Sequence, residues 1–231
     1  MIVGFLVGAP FGLVWTAQMF EIAKDPDAGR VYARVLTYYS AALLAICAFL
    51  SVMAREIVTV MAAPEYAAAS SVVPLIAWST IFLTALPVLQ VGILIRKRTI
   101  WLPAIYAGTT AIKLALNYAL IPSMGMMGAA WATVAALLFQ AAATLAVSQR
   151  LYPIPHEWGR LAVLGGGALV ATVAARGLAP LTLMAATALK AVLLIAIAAG
   201  VVSLPGVVRQ DERAILGRAL RRAFVRKEAD P

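Results

Sequence analysis

Long apolar runs make up most of the chain, and the polar residues that separate them come in short clusters. A membrane-crossing helix needs about 20 apolar residues. Seven stretches meet that length, at about 2–20, 37–60, 71–95, 100–121, 125–148, 160–179 and 182–204. A polar, basic tail follows from 207. No stretch alternates with the period of two that marks a half-buried strand. In hydrocarbon, a helix satisfies its own backbone groups. The pattern therefore predicts an all-α polytopic membrane bundle of about seven transmembrane helices. Its expected organisation is a helical lobe over 1–148, a loop with two additional helices over 149–206, and a tail over 207–231.

Composition supports the membrane class. Of 231 residues, 63% are hydrophobic and 13% charged, whereas soluble domains are nearer half apolar and a quarter charged. The net charge of +9 raises the question of nucleic acid. Nucleic-acid binders cluster Lys and Arg on a soluble face. Here they fall between the apolar runs, so no nucleic-acid partner is expected. Cys47 is the only cysteine and cannot form an internal disulfide. The start, MIVGFLVGAPFGLVW, lacks the basic n-region of a signal peptide.

Charge distribution sets the expected orientation. Lys24, Arg30 and Arg34 follow the first stretch, Arg96, Lys97 and Arg98 the third, and Arg150 and Arg160 flank the loop after the fifth. The tail adds seven more, from Arg209 to Lys227, against only Arg55 and Arg176 in the opposite loops. The positive-inside rule places the rich side, with the C-terminus, in the cytoplasm. Met1 would then lie outside, which a missing upstream helix would explain. On the far side the connections AREIVTVMAAPEYAAASS, IPSMGMMG and ARGLAP are short and weakly charged. Tyr38, Tyr39, Trp101, Tyr152 and Trp158 fall near expected interfaces, where aromatic rings anchor.

Catalytic patterns are missing. The glycines at 165–167 are followed by no Lys and read as helix packing or a kink. His156 is the only histidine and reads as a plain loop residue. No Cys/His cluster suits a metal, and no carboxylate pair is placed for acid–base work. Neither an enzyme nor a cofactor is expected. No carboxylate falls mid-membrane, although ion-coupled carriers usually bury one.

One polar pattern lies inside an apolar stretch. Tyr106, Thr109, Lys113 and Asn117 are spaced to share a helical face. A charge at the bilayer centre costs at least about 2.5–3.5 kcal/mol. Lys113 could snorkel toward the outer surface, but the stripe favours a lined cavity, and a cation there suits an anionic substrate. Gln18, Gln90 and Lys190 are weaker pathway candidates. Thr187 alone accompanies Lys190, which suits snorkelling or helix–helix bonding better. Pro10, Pro74 and Pro87 sit in apolar runs and can kink them. In the tail, Ile215, Leu216, Ala219, Leu220, Ala223 and Phe224 approach helical spacing among arginines. An amphipathic helix on an anionic leaflet and a disordered basic tail both fit.

The stretch LNYALIPSMGMMGAAWAT, 116–133, carries Leu-Asn, Ile-Pro, Gly and Gly-Ala-Ala in an order that resembles the C-terminal half of oligosaccharide and polysaccharide flippases. These belong to the multidrug/oligosaccharidyl-lipid/polysaccharide exporter superfamily. AWSTIFLTALPVLQVGILIRKRTIWLP and SQRLYPIPHEWGRL are similar to the segments before and after it, and FGLVWTAQMFEIAKDPDAGRVYARVLTYY to the family's eighth helix. The resemblance spans about 10–160 and implies the second lobe of a MATE-like fold, helices 8 to 14. It implies an inner-membrane transporter that flips a polyprenyl-pyrophosphate-linked glycan for cell-surface polysaccharide biosynthesis. Its partners would be that substrate, membrane lipids and a missing or separately encoded N-terminal lobe, since two lobes must rock for alternating access. A drug or metabolite exporter and a non-transporting assembly subunit are the alternatives. In the 116–133 corner, Pro122 is expected to stop one helix, with Gly125 and Gly128 opening the next. Gly125, Ala129 and Thr133, and Gly128, Ala132 and Ala136, form small-residue rows for close helix packing.

Overall fold

The computed structural model describes residues 7–61 and 64–177. Among them every regular element is helical: α1 (Ala9–Ile22), α2 (Ala28–Val52), α3 (Ala54–Met61), a 3-10 segment (Pro64–Ser71), α4 (Val73–Leu89), α5 (Val91–Ile95), α6 (Trp101–Met124), α7 (Met126–Leu151) and α8 (Trp158–Gly177). Among the described residues four helices are long and apolar enough to cross a membrane: Ala28–Val52, the joined α4–α5 at Val73–Ile95, Trp101–Met124 and Met126–Leu151. Over these residues the protein is all-helical, with the apolar spans of a membrane-embedded protein. The expected helix at 182–204, Lys190 and the 207–231 tail lie outside the described residues, as does part of the expected first helix.

Helix boundaries depart from the apolar pattern where packing overrides it. The second expected stretch, 37–60, begins as a helix at Ala28 and breaks at Met53. Arg30 and Arg34 therefore lie on the first turns of α2, not in a loop. Ala28, Tyr32, Ala33 and Leu36 are buried between them and hold these turns in the core. Pro10 and Pro74 occupy first turns of α1 and α4, where the missing N–H has no intrahelical partner to lose. They kink nothing. Of these three prolines only Pro87 lies inside its helix, just before the break at Gln90 that separates α4 from α5. Pro122 does not stop α6, which continues to Met124. Gly125 ends it instead, at φ 56° and ψ −131°, a region essentially confined to glycine.

Packing runs in the order α8, α2, α4, α7, α6, each element lying against the next, with α1 on α4. Helices α2 and α4 are antiparallel: Cys47 Sγ donates to the Ala77 carbonyl (3.1 Å), and Leu36 and Leu43 share a core cluster with Val88 and Ala85. Cys47 is fully buried there. Trp15 of α1 donates its indole N–H to the Pro87 carbonyl (2.9 Å), and the Tyr32 hydroxyl donates to the Met19 carbonyl (2.6 Å). Tyr39 is not an interfacial anchor, whereas Tyr152 is half-buried just past the end of α7. Tyr39 is buried and stacks on Phe11 at 3.8 Å, and Tyr152 meets the buried Tyr32 edge-on at 6.3 Å. Tyr38, Trp101 and Trp158 are exposed, as anchoring requires.

One face of α7 is a row of small or polar residues at every fourth position: Gly128, Ala132, Ala136, Gln140, Thr144 and Ser148, all buried. Of the two expected small-residue rows, this continues the Gly128 row, while Gly125 is exposed and Ala129 and Thr133 are half-buried. The row brings backbones close. A Cβ on Gly128 would collide with the Leu120 carbonyl across the corner. A Cβ on Gly92 of α5 would lie 2.6 Å from the Ser148 carbonyl oxygen, and the Gly92 N–H donates to Ser148 Oγ (3.0 Å). By contrast, Gly165 and Gly166 have nothing within 4 Å of a built Cβ, and α8 runs through them. Among the described residues Gly165 and Gly166 thus mark no close approach of a neighbouring helix.

At Gly92, alanine would force α5 off α7. Overpacking of this kind costs about 1–3 kcal/mol. Gly92→Ala is expected to lower the thermal midpoint in detergent, and Gly165→Ala to leave it unchanged or raised; paired melts of the purified variants measure both.

Candidate functional site

The polar stripe lies on α6, whose main neighbour is α7. Helix α6 is far less covered than α7, α2 and the joined α4–α5. The face against α7 is marked by buried Ile105 and Thr109, with Gly108 near Phe139 and Leu120 near Gly128. The stripe straddles the edge of that contact. Thr109 is inside it and folds its hydroxyl back to the Ile105 carbonyl (2.8 Å). Asn117 is half-buried, and its Oδ1 is sealed from solvent with no hydrogen-bond partner among the described residues. Tyr106 and Lys113 are exposed. Gln18 is exposed on α1, which lies on α4, and Gln90 is half-buried at the α4–α5 break. The two glutamines thus sit on elements that do not form the main contact of α6, so they join no common constellation with the stripe.

A second polar cluster gathers where the basic loops meet. A Cβ on Gly29 would lie 3.4 Å from Pro155, and the Arg96 guanidinium sits 5.7 Å over the Tyr152 ring. The loops after α1, α5 and α7 therefore come together at one end of the bundle. The 152–157 loop is held by a reciprocal pair: the Ile154 N–H donates to Gln149 Oε1 (2.7 Å), and Gln149 Nε2 donates to the Ile154 carbonyl (2.8 Å). This fixes Ile154 in the core. Glu157 follows, at the mouth of α8. Arg160 donates to its Oε2 at 2.7 Å, with side chains only 12% and 23% exposed for Arg160 and Glu157. The Thr37 hydroxyl of α2 lies within bonding distance of the same oxygen (3.1 Å) and of the Ala33 carbonyl (3.0 Å). A carboxylate before the first turn of α8 is also favoured by the helix dipole.

This carboxylate is absent from the sequence reading. Its signal was the Glu157–Arg160 spacing of three at the head of an apolar run, which pairs charges on one helical face. Thr37, 120 positions away, could not be joined to it by spacing. His156 is more than a plain loop residue. Its ring packs edge-on against Trp158 at 5.3 Å, and its Nδ1 is buried with no partner among the described residues. Burial lowers its pKa below the usual 6.5. Among the described residues no group of His, Cys, Asp and Glu could hold a metal ion.

The Glu157 contacts tie the head of α8 to α2. A hydrogen bond to a charged group contributes about 1.5–3 kcal/mol, so Glu157→Ala is expected to destabilise by about 2 kcal/mol. Glu157→Gln should recover part of this, because its amide oxygen can still accept from Thr37; thermal melts rank the three proteins. Burial makes His156 harder to protonate in the fold than in the unfolded chain, whose imidazole takes up a proton below about pH 6.5. A lowered folded pKa gives stability that is present above that pH and lost as pH falls. The melting temperature should therefore fall between pH 7 and pH 5 by more in the native protein than in His156→Asn. Comparisons with protein-family models, curated proteins and solved structures found no match to this chain.

Proposed function

We propose that the chain is the C-terminal lobe of a transporter that flips a lipid-linked oligosaccharide, a polyprenyl-pyrophosphate glycan, across a bacterial inner membrane for cell-surface polysaccharide biosynthesis. Its basic end and C-terminus face the cytoplasm. The reading rests on the ordered sequence resemblance over about 10–160. The observation that carries the site is the exposed Lys113 on α6, the least covered of the candidate spans.

Lipid cannot solvate that ammonium, and facing it would cost at least about 2.5–3.5 kcal/mol near the bilayer centre. A second lobe closing on α6 would convert the bare face into the wall of a cavity. Tyr106 and Lys113 would then line it, with Thr109 and Asn117 at its margin. An anionic diphosphate headgroup would meet the cation, while the polyprenyl tail stays in lipid. Rocking of the two lobes would move the headgroup between leaflets.

The sealed Oδ1 of Asn117 favours a second reading. A buried amide oxygen with no partner costs about 1–3 kcal/mol, and a helix from another subunit could supply the donor. On that reading the chain is an assembly subunit that transports nothing.

Complementation separates the two. Expressed with a first lobe in a flippase-deficient strain, the chain should restore surface glycan, and without that lobe it should not. Lys113→Ala should lower export at least tenfold while Lys113→Arg retains it, measured as surface polysaccharide at matched protein levels. Full export by Lys113→Ala would remove the stripe from the pathway. Failure to complement under every pairing would favour the assembly subunit.

A further inference from the structure

The turn between α5 and α6 carries Arg96, Lys97 and Arg98 in succession. It is a closed helix cap: the Arg98 N–H bonds to the Ile93 carbonyl (3.0 Å) and the Lys97 N–H to the Leu94 carbonyl (3.0 Å). That cap pattern places the residue just after the helix's C-cap in the left-handed region, which is usually given to glycine. Lys97 occupies it, at φ 54°, the only residue other than glycine with a positive φ among the described residues. A cation thus stands where local geometry favours glycine. Arg96 is fixed in turn, its Nε donating to the Leu151 carbonyl (3.2 Å) and its guanidinium lying over Tyr152. This brings the turn beside the end of α7, where Arg150 directly precedes Leu151 in the chain.

None of these four cations has a carboxylate partner among the described residues. The ion pairs there join Lys24 to Glu21, Arg30 to Asp27 and Arg160 to Glu157. Lys97, Arg98 and Arg150 are exposed. Directly after them come two exposed apolar residues, Ile100 at 75% and Trp101 at 47%. One candidate span ends at Ile95 and the next begins at Trp101. The turn between them is too short to leave the headgroup layer. Unpaired cations beside an apolar step at that depth match an anionic headgroup on an acyl chain.

We propose that the 96–101 turn, with Arg150, binds the phosphate of an anionic phospholipid, Ile100 and Trp101 lying against its glycerol and upper acyl chains. The site does not depend on the transport reading, since it needs only the turn and the end of α7. It is also distinct from the Lys113 face, which lies well within α6.

The test uses the full-length protein in nanodiscs of phosphatidylcholine with or without phosphatidylglycerol, and native mass spectrometry to count retained lipid. The native protein should retain phosphatidylglycerol over phosphatidylcholine. A Lys97→Asn/Arg98→Gln variant keeps a residue that tolerates the left-handed turn, so the cap is preserved. It should bind phosphatidylglycerol about fivefold more weakly for each cation removed, with an unchanged thermal midpoint in phosphatidylcholine. Replacing the tail cations Arg218, Arg221 and Arg222 with Gln should leave the preference in place. The proposal is overturned if the turn variant retains phosphatidylglycerol as the native protein does, if the preference follows the tail, or if millimolar glycerol phosphate displaces the lipid.

Discussion

Water's absence from the hydrocarbon core governs this bundle. Every hydroxyl in a span must find an acceptor inside the protein. The chain meets much of that demand locally: Ser51, Thr80, Thr84, Thr109 and Thr133 each turn a hydroxyl back to the carbonyl four residues earlier, whereas the buried Thr144 hydroxyl has no partner among the described residues. These bonds remove much of the polar demand from the helix surfaces. Helices can then approach through small residues alone, which is how the Gly128–Ser148 row of α7 seats against its neighbours. Where the local solution fails, longer contacts take over. Trp15 caps a carbonyl beside the α4–α5 break, and Ser148 serves the backbone of Gly92.

The same demand makes the two polar clusters conspicuous. Glu157, Arg160 and Thr37 meet it together, at an end of the bundle where charge is cheapest. Asn117 and Lys113 do not meet it within the described chain. The first cluster reads as completed structure and the second as a surface made to be covered.

Periodicity and apolar length made the helical class legible, along with the joined α4–α5 span, α7 and the gathering of basic loops at one end. What they could not show was which residues the core would claim. Tyr39 sits at a plausible interface position in sequence but is drawn inward onto Phe11. Prolines were equally ambiguous, since their effect depends on distance from the helix start. At Pro10 and Pro74 that distance is one turn, and the fold is indifferent. The stripe on α6 was legible as spacing, but its division between the α7 contact and the open face was not. A period of 3.6 says which residues neighbour one another, not where a neighbouring helix ends. Glu157 was hidden for a different reason, because its partner Thr37 is distant in sequence.

The fully buried Cys47, bonded to the Ala77 carbonyl at the α2–α4 seam, has a practical side. It is the chain's single sulfhydryl, and maleimide has no route to it in the packed state. A cysteine placed anywhere on the surface becomes the sole reactive thiol, with no native residue to remove first. Spin labels or fluorophores can be set on α6 or the basic turn in an otherwise unaltered chain. Cys47 itself becomes a reporter that reacts only when α2 and α4 part.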